Sequence, residues 1–317
     1  MNLHESVLAA ERRIRGHVRE TPVEDSPALG EPAGCRVYLK LENLQETGSF
    51  KLRGATNKLR GLGDRDRSRG VAAASTGNHG AAVACAARSL SCRAMIFVPE
   101  NAVESKVEAI RRLGAEIVRH GDDCVAAEIA ARAHAVDHGM VFVSPYNDPD
   151  VIAGQGTIAR ELERQIEGRI DAVFTSLGGG GLIAGVGGYL KAVNPDVRVV
   201  ACSPENSRVM HESLRAGRIL ELASEPTLSD GTAGGVEPGA ITFDLCHEII
   251  DESIVVGEDE IRHALRLIIK RHHTLIEGAA AVAVAGFLAE KDRYRGQNVA
   301  IVLCGANIDS QTLKSVL

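Results

Sequence analysis

Tryptophan is absent from this 317-residue chain, and six phenylalanines and four tyrosines are its only aromatic residues. A core with so few rings has to be aliphatic, drawn from the residues that bring the hydrophobic share to 44%. No uncharged apolar run exceeds Ala279 to Ala289, well short of the about 20 residues a helix needs to cross a bilayer, so no membrane span is expected. No basic run occurs and the net charge is −6, which removes the electrostatic footprint of a nucleic-acid binder. No Cys-x-x-Cys pair occurs among Cys35, Cys85, Cys92, Cys124, Cys202, Cys246 and Cys304. Seven scattered cysteines argue for reduced, mostly buried thiols and against a zinc cluster or disulfide framework. Glu5, Glu11, Arg12 and Arg13 stand where a secretory signal needs a continuous apolar stretch, so a cytoplasmic location is expected. Neither a Ser/Pro linker nor an internal repeat divides the chain.

Glycine, by contrast, is plentiful, at 33 residues, and short apolar runs alternate with helical patterns. The strands expected are Arg36–Leu41, Val71–Ala74, Ala94–Val98, Glu116–Arg119, Val141–Val143, Ala172–Ser176, Arg198–Ala201, Ile254–Val256 and Val299–Leu303. Apolar positions at three- and four-residue spacing predict helices over Val103–Leu113, Cys124–His138, Val151–Glu167, Glu258–Arg271 and Gly278–Glu290. Such alternation predicts parallel strands joined by crossover helices, a doubly wound α/β fold. The series from about Gly70 to Val143 reads as a subdomain inserted in a larger one. The expected division is a small domain over 66–147 and a large domain over 1–65 and 148–317.

The sharpest motif is Ser176-Leu177-Gly178-Gly179-Gly180-Gly181, between a strand and a helix. Consecutive glycines there uncover backbone N–H groups at the positive end of a helix dipole, which is a cradle for a phosphate. A dinucleotide site is the rival reading, with Glu205 as the ribose-binding acid. The glycines do not fit GxGxxG, however, because Ile183 takes the place of the last glycine. One phosphate suits the loop better than a pyrophosphate.

A second motif, Thr47-Gly48-Ser49-Phe50-Lys51, puts a lysine beside Phe50 at a helix start. Desolvation and backbone dipoles there lower the amine's pKa toward that of a nucleophile able to form a Schiff base. One phosphate site and one reactive lysine together point to pyridoxal 5′-phosphate. A third motif, Ser75-Thr76-Gly77-Asn78-His79-Gly80, again follows a strand and opens a helix. Its hydroxyls and N–H groups form a second anion site suited to a substrate carboxylate, and Asn78 can donate to a phenolate oxygen. N-capping by Ser75 and Thr76 is compatible with that use.

In this order and spacing the segments resemble the threonine dehydratase and serine racemase group of pyridoxal-phosphate enzymes, of the tryptophan-synthase β-subunit fold type. The resemblance continues through Pro149–Thr157, Asp230-Gly231 and Leu303-Cys304-Gly305-Ala306-Asn307. It implies two doubly wound α/β domains with the active site between them, and a homodimer or homotetramer. Carried over by position, Lys51 would hold the cofactor and then remove the substrate α-proton. Gly178, Gly179, Gly180 and Gly181 would bind the phosphate, and Asn78 would contact the ring oxygen. Ser75, Thr76, Gly77 and His79 would line the carboxylate site. Cys304 would face the pyridine nitrogen, and Glu277 would lie near the ring.

Cys304 stands where a serine is common, yet either residue is neutral and cannot hold the ring nitrogen protonated, which favours rapid expulsion of a β-hydroxyl over transamination. Thr76 replaces the serine that supplies the opposite-face proton in racemases, making racemisation the lesser expectation. Ser203 and Val209 occupy the places of the acidic metal ligands found in some members, so no divalent-metal site of that kind is expected; His134 and His138 read as a surface pair. The implied reaction is ammonia release from a β-hydroxy amino acid, by default L-threonine or L-serine. Ser144–Asn147 and Thr232–Val236 differ enough from ordinary threonine dehydratases to admit a hydroxyaspartate, a phenylserine or a hydroxyectoine-derived compound. The resemblance runs to within about ten residues of Leu317, so no C-terminal regulatory module is expected.

Overall fold

Strands covered on both faces read as unbroken apolar runs, and most strands here do. The computed structural model describes residues 1–317. Its strands are β1 (Val23–Asp25), β2 (Arg36–Lys40), β3 (Val71–Ala74), β4 (Ala94–Val98), β5 (Glu116–Arg119), β6 (Val141–Phe142), β7 (Ala172–Ser176), β8 (Arg198–Pro204), β9 (Glu252–Val256) and β10 (Asn298–Val302). The helices of the first half are α1 (Leu3–Ile14), α2 (Pro27–Ala33), α3 (Lys51–Gly61), α4 (Asp64–Arg69), α5 (Asn78–Ser89), α6 (Glu104–Arg112) and α7 (Cys124–His138). Those of the second are α8 (Pro149–Gln165), α9 (Gly181–Val193), α10 (Val209–Ala216), α11 (Ile241–Ile249), α12 (Glu258–His272), α13 (Gly278–Glu290) and α14 (Ser310–Val316).

Two sheets result, one of six strands in the order β1-β2-β10-β7-β8-β9 and one of four in the order β5-β4-β3-β6. Every neighbouring pair is parallel except β1 on β2, where Val23 lies opposite Lys40. The fold is α/β with parallel sheets, as the alternation of runs implied. Element ends differ from the sequence reading by local chemistry. α8 begins at Pro149 rather than Val151, because the Asp148 carboxylate accepts from the N–H groups of Asp150 and Val151 and proline suits the first helical position. β8 runs past Ala201 to Pro204, its polar end covered by pairing with β9. β1 carries too little apolar pattern to be anticipated.

Each sheet has its own core. A cluster of 58 buried residues surrounds the larger one. At its centre lies α13, whose residues Gly278 to Phe287 are all buried, as its lack of charge requires. A second cluster of 19 includes Val71, Ile96 and Val107 from the four-stranded unit, together with Leu52, Ala55 and Leu59 of α3. Another face of α3 meets α8, and the backbones approach so closely at one crossing that a Cβ on Gly154 would lie 2.6 Å from the Cα of Gly54. No helix is long and apolar enough to cross a membrane.

Candidate active site

The residues expected to bind cofactor and substrate, Phe50, Lys51, Ser75 to His79, Gly178 to Gly181, Glu277 and Cys304, line one cleft of about 1050 Å³. Strand ends put them there. Ser75 to His79 follow β3, Ser176 ends β7 and leads into Gly178 to Gly181, and Cys304 follows β10. This is the carboxyl edge where parallel sheets hold their ligands.

Lys51 is the first residue of α3, and its Nζ donates to the Pro145 carbonyl at 2.8 Å, the only hydrogen bond it makes. The Phe50 ring lies 5.2 Å from Nζ. Desolvation by the surrounding protein lowers the Lys51 pKa to about 8, against a smaller upward pull from Cys304 and Glu277. The amine is therefore deprotonated within reach of neutral pH.

Across the cleft, Gly180 adopts φ +87°, where a side chain is strained, and turns the chain into α9. The N–H groups from Gly178 to Ile183 find no acceptor within the chain. A Cβ on Gly179 would lie 2.4 Å from the ring of Tyr146, and one on Gly178 would lie 3.1 Å from the Thr232 backbone. Unpartnered donors lining a cradle that any larger residue would fill fit a phosphate. Pyridoxal phosphate thus meets the donor set it requires here, with Lys51 in the same cleft.

Glu277 is the buried carboxylate of the site, 2% exposed. Its oxygens accept from Asn78 Nδ2 at 2.9 and 3.0 Å and from the Asn307 N–H at 3.1 Å. Burial raises its pKa to about 7, while the Asn78 bond acts the other way. Asn78 Oδ1 accepts from Asn307 Nδ2 at 2.6 Å, so both ends of this amide are engaged. The two Nδ2 bonds go to one carboxylate, which leaves the second N–H of the Asn78 amide available for a ring oxygen. The Cys304 thiol lies 3.7 Å from Ser176 Oγ, and burial pushes its pKa up, so it stays neutral.

The third segment divides. Ser75, Thr76 and Gly77 face the cleft, with Gly77 N–H donating to Ser75 Oγ at 3.1 Å. His79 is buried and donates through Nε2 to the Val143 carbonyl at 2.8 Å. Burial and the nearby Lys51 lower its pKa to about 3, so it is a neutral strut. Outside the cleft, the His134 and His138 rings stack 3.9 Å apart. Ser203 Oγ donates to the Leu177 carbonyl at 3.4 Å.

Sequence reasoning missed Tyr146 as the cover of the glycine loop. Its hydroxyl accepts from the Glu237 N–H at 2.9 Å, and Glu237 pairs with Arg132 of α7 at 2.6 Å. Lys106 of α6 and Asp230 pair at 3.2 Å, a second ionic contact between the four-stranded unit and the segment facing it. The resemblance puts Tyr146 in the segment Ser144–Asn147, but nothing in the local sequence shows that its ring lies over the glycine loop.

Known proteins agree with this geometry. The chain is 42% identical over 313 residues to an L-threonine ammonia-lyase of Thermotoga maritima, covering 99% of this chain and 77% of that one. The solved structure of the processed form of threonine deaminase isoform 2 from Solanum lycopersicum superposes with a TM-score of 0.94 at 34% identity, covering 99% of this chain and 92% of that one. That of maize serine racemase gives 0.93 at 32% identity, over 98% and 95%. The sequence profile described as "Pyridoxal-phosphate dependent enzyme" matches residues 14–305. With the lysine, the acceptor-free glycine loop and this match in hand, the chain belongs to the pyridoxal-phosphate-dependent enzyme family.

Proposed function

We propose that the chain catalyses β-elimination from a β-hydroxy amino acid, by default L-threonine or L-serine, releasing a 2-oxo acid and ammonia. One observation carries the reading: the singly bonded Lys51 amine and the unpartnered N–H groups of Gly178 to Ile183 share a cleft. Pyridoxal phosphate, when bound, supplies an aldehyde for the substrate amine and draws electrons from the α-carbon. Lys51 Nζ holds the cofactor and, once displaced, takes the α-proton. The loop from Gly178 to Gly181 binds the phosphate, and Phe50 walls the amine on one side. Ser75, Thr76 and Gly77 hold the substrate carboxylate, backed by the neutral His79. The hydrogen-bonded pair Asn78 and Glu277 orients the ring from one side. Cys304 gives the ring nitrogen an uncharged partner, which favours fast loss of the β-hydroxyl over a long-lived carbanion.

A second reading, serine racemase, rests on the Thr76 hydroxyl in the same cleft; it requires D-serine to form faster than pyruvate. The domain division at 65/66 and 147/148, a cytoplasmic location and a homodimer or homotetramer belong to the proposal, and light scattering measures the last. The deciding experiment screens β-hydroxy amino acids, including hydroxyaspartate, phenylserine and hydroxyectoine-derived compounds, for ammonia and 2-oxo acid release, with Lys51→Ala as the blank. Purified protein that binds no pyridoxal phosphate overturns the reading.

A further inference from the structure

Two residues after Lys51, about 200° further round α3, Arg53 points away from the cleft into a group of charges sealed from water. Lys40 of β2, Glu42 in the turn after it and Arg53 have side chains 0% exposed, and Glu161 of α8 is 2% exposed. Arg53 Nε and Nη2 each donate to Glu42 at 2.8 Å. Its Nη1 and Nη2 donate to the two oxygens of Glu161 at 2.8 and 2.7 Å. Lys40 Nζ donates to Glu161 at 2.6 Å, to the Thr21 carbonyl at 2.7 Å and to Gln165 at 2.8 Å.

Stability alone does not account for the group. Burying charges is costly, and well-packed apolar replacements of a buried pair are often as stable or more so. The geometry supplies another reason. α3 and α8 touch backbone to backbone at Gly54 and Gly154, and Leu52, Ala55 and Leu59 pack α3 on the four-stranded unit, but such non-directional apolar contacts leave α3 some freedom to turn about its own axis. A planar guanidinium gripped by carboxylates from two different elements removes that freedom. A turn of about 10° moves a side-chain atom at the helix surface by about 1 Å, and an error of about 1 Å at a reacting group can cost about 100-fold in rate. Two cations and two carboxylates also sum to no charge, so the group fixes Lys51 in place without adding a net field.

We propose that Lys40, Glu42, Arg53 and Glu161 are positioning residues that set the rotation of α3 and hence the placement of Lys51 Nζ. The inference rests on the reading of Lys51 as the cofactor lysine. Its test uses Arg53→Met/Glu161→Met, which removes one charge of each sign, and Arg53→Lys, which keeps the charge but loses the fork. For each, one measures the thermal midpoint, the rate at which apoenzyme combines with pyridoxal phosphate, the kcat and KM split, and the crystal structure. The expected result is a midpoint within about 5 °C of wild type and a combination rate and kcat at least about tenfold lower. KM should change less than about threefold, and in the crystal structure of the apoenzyme the Lys51–Pro145 hydrogen bond should be lost. A folded variant that combines with the cofactor and turns over within about twofold of wild type overturns the proposal; if the double variant does not fold, Arg53→Lys decides. The combination rate needs no substrate, so it tests the group even if no amino acid releases ammonia. Failure of the wild type to combine through Lys51 sinks the underlying reading and this inference with it.

Discussion

Lys40 and Lys51 sit at opposite sides of the same short stretch of chain, and water is scarce around both. Lys40 is fully enclosed but meets three acceptors, and Glu161 and Glu42 pull its pKa back up against the burial that lowers it. Lys51 lines the cleft with one carbonyl acceptor, and desolvation brings it down to about 8. Burial by itself does not make a reactive amine. The number and charge of its partners decide whether a lysine holds the fold together or is left available for chemistry.

The contrast is broken most severely by Lys51→Ala. Ammonia release should fall at least about 1000-fold, and the near-visible absorbance of the holoenzyme should vanish. Lys40→Met should keep the absorbance, because Lys51 itself is intact, while slowing combination with pyridoxal phosphate and lowering stability by about 3 kcal/mol in urea titration, since a buried carboxylate loses one of its partners. If Lys40→Met loses the absorbance while remaining folded, the two lysines are not separable in this way.

Gly179→Ala tests the other wall of the cleft. Its Cβ would lie 2.4 Å from the Tyr146 ring, so cofactor affinity, read by fluorescence titration, should weaken about tenfold. An unchanged affinity would mean that Tyr146 moves aside freely.

A pH series sharpens the comparison without a mutation. Combination of apoenzyme with pyridoxal phosphate should speed up about tenfold per pH unit below about 8 and level off above it, because only unprotonated Lys51 reacts. The stability sign follows from the same shift. Between about pH 8 and the ordinary lysine value of 10.5 the unfolded chain binds the proton that the folded one has lost. Lys51 therefore contributes rising apoenzyme stability across that window and a penalty below it. The smallest change expected is in Cys304→Ser, with kcat within about threefold, since neutrality rather than sulfur is what the ring nitrogen meets.

The site segments were legible because each is contiguous. A glycine run, a Ser-Thr-Gly-Asn-His run and a lysine at a helix start announce themselves in a few residues, and the alternation of runs gives the parallel sheets. What stayed hidden is assembled from distant pieces. Lys40, Glu42, Arg53 and Glu161 come from separate elements, and nothing in their local spacing shows that they meet. A lysine ending the apolar strand Arg36–Lys40 was the one available hint of a buried partner. Asn78 lines the cleft, but its bond to Glu277 bridges residues too far apart for any local pattern to reveal.

The short antiparallel strand β1 closes one side of the six-stranded sheet with Val23, Glu24 and Asp25. An edge of three residues, two of them acidic, offers a neighbouring copy few open backbone groups and a repulsive charge. Extension of the six-stranded sheet by a neighbouring strand is therefore disfavoured at that border.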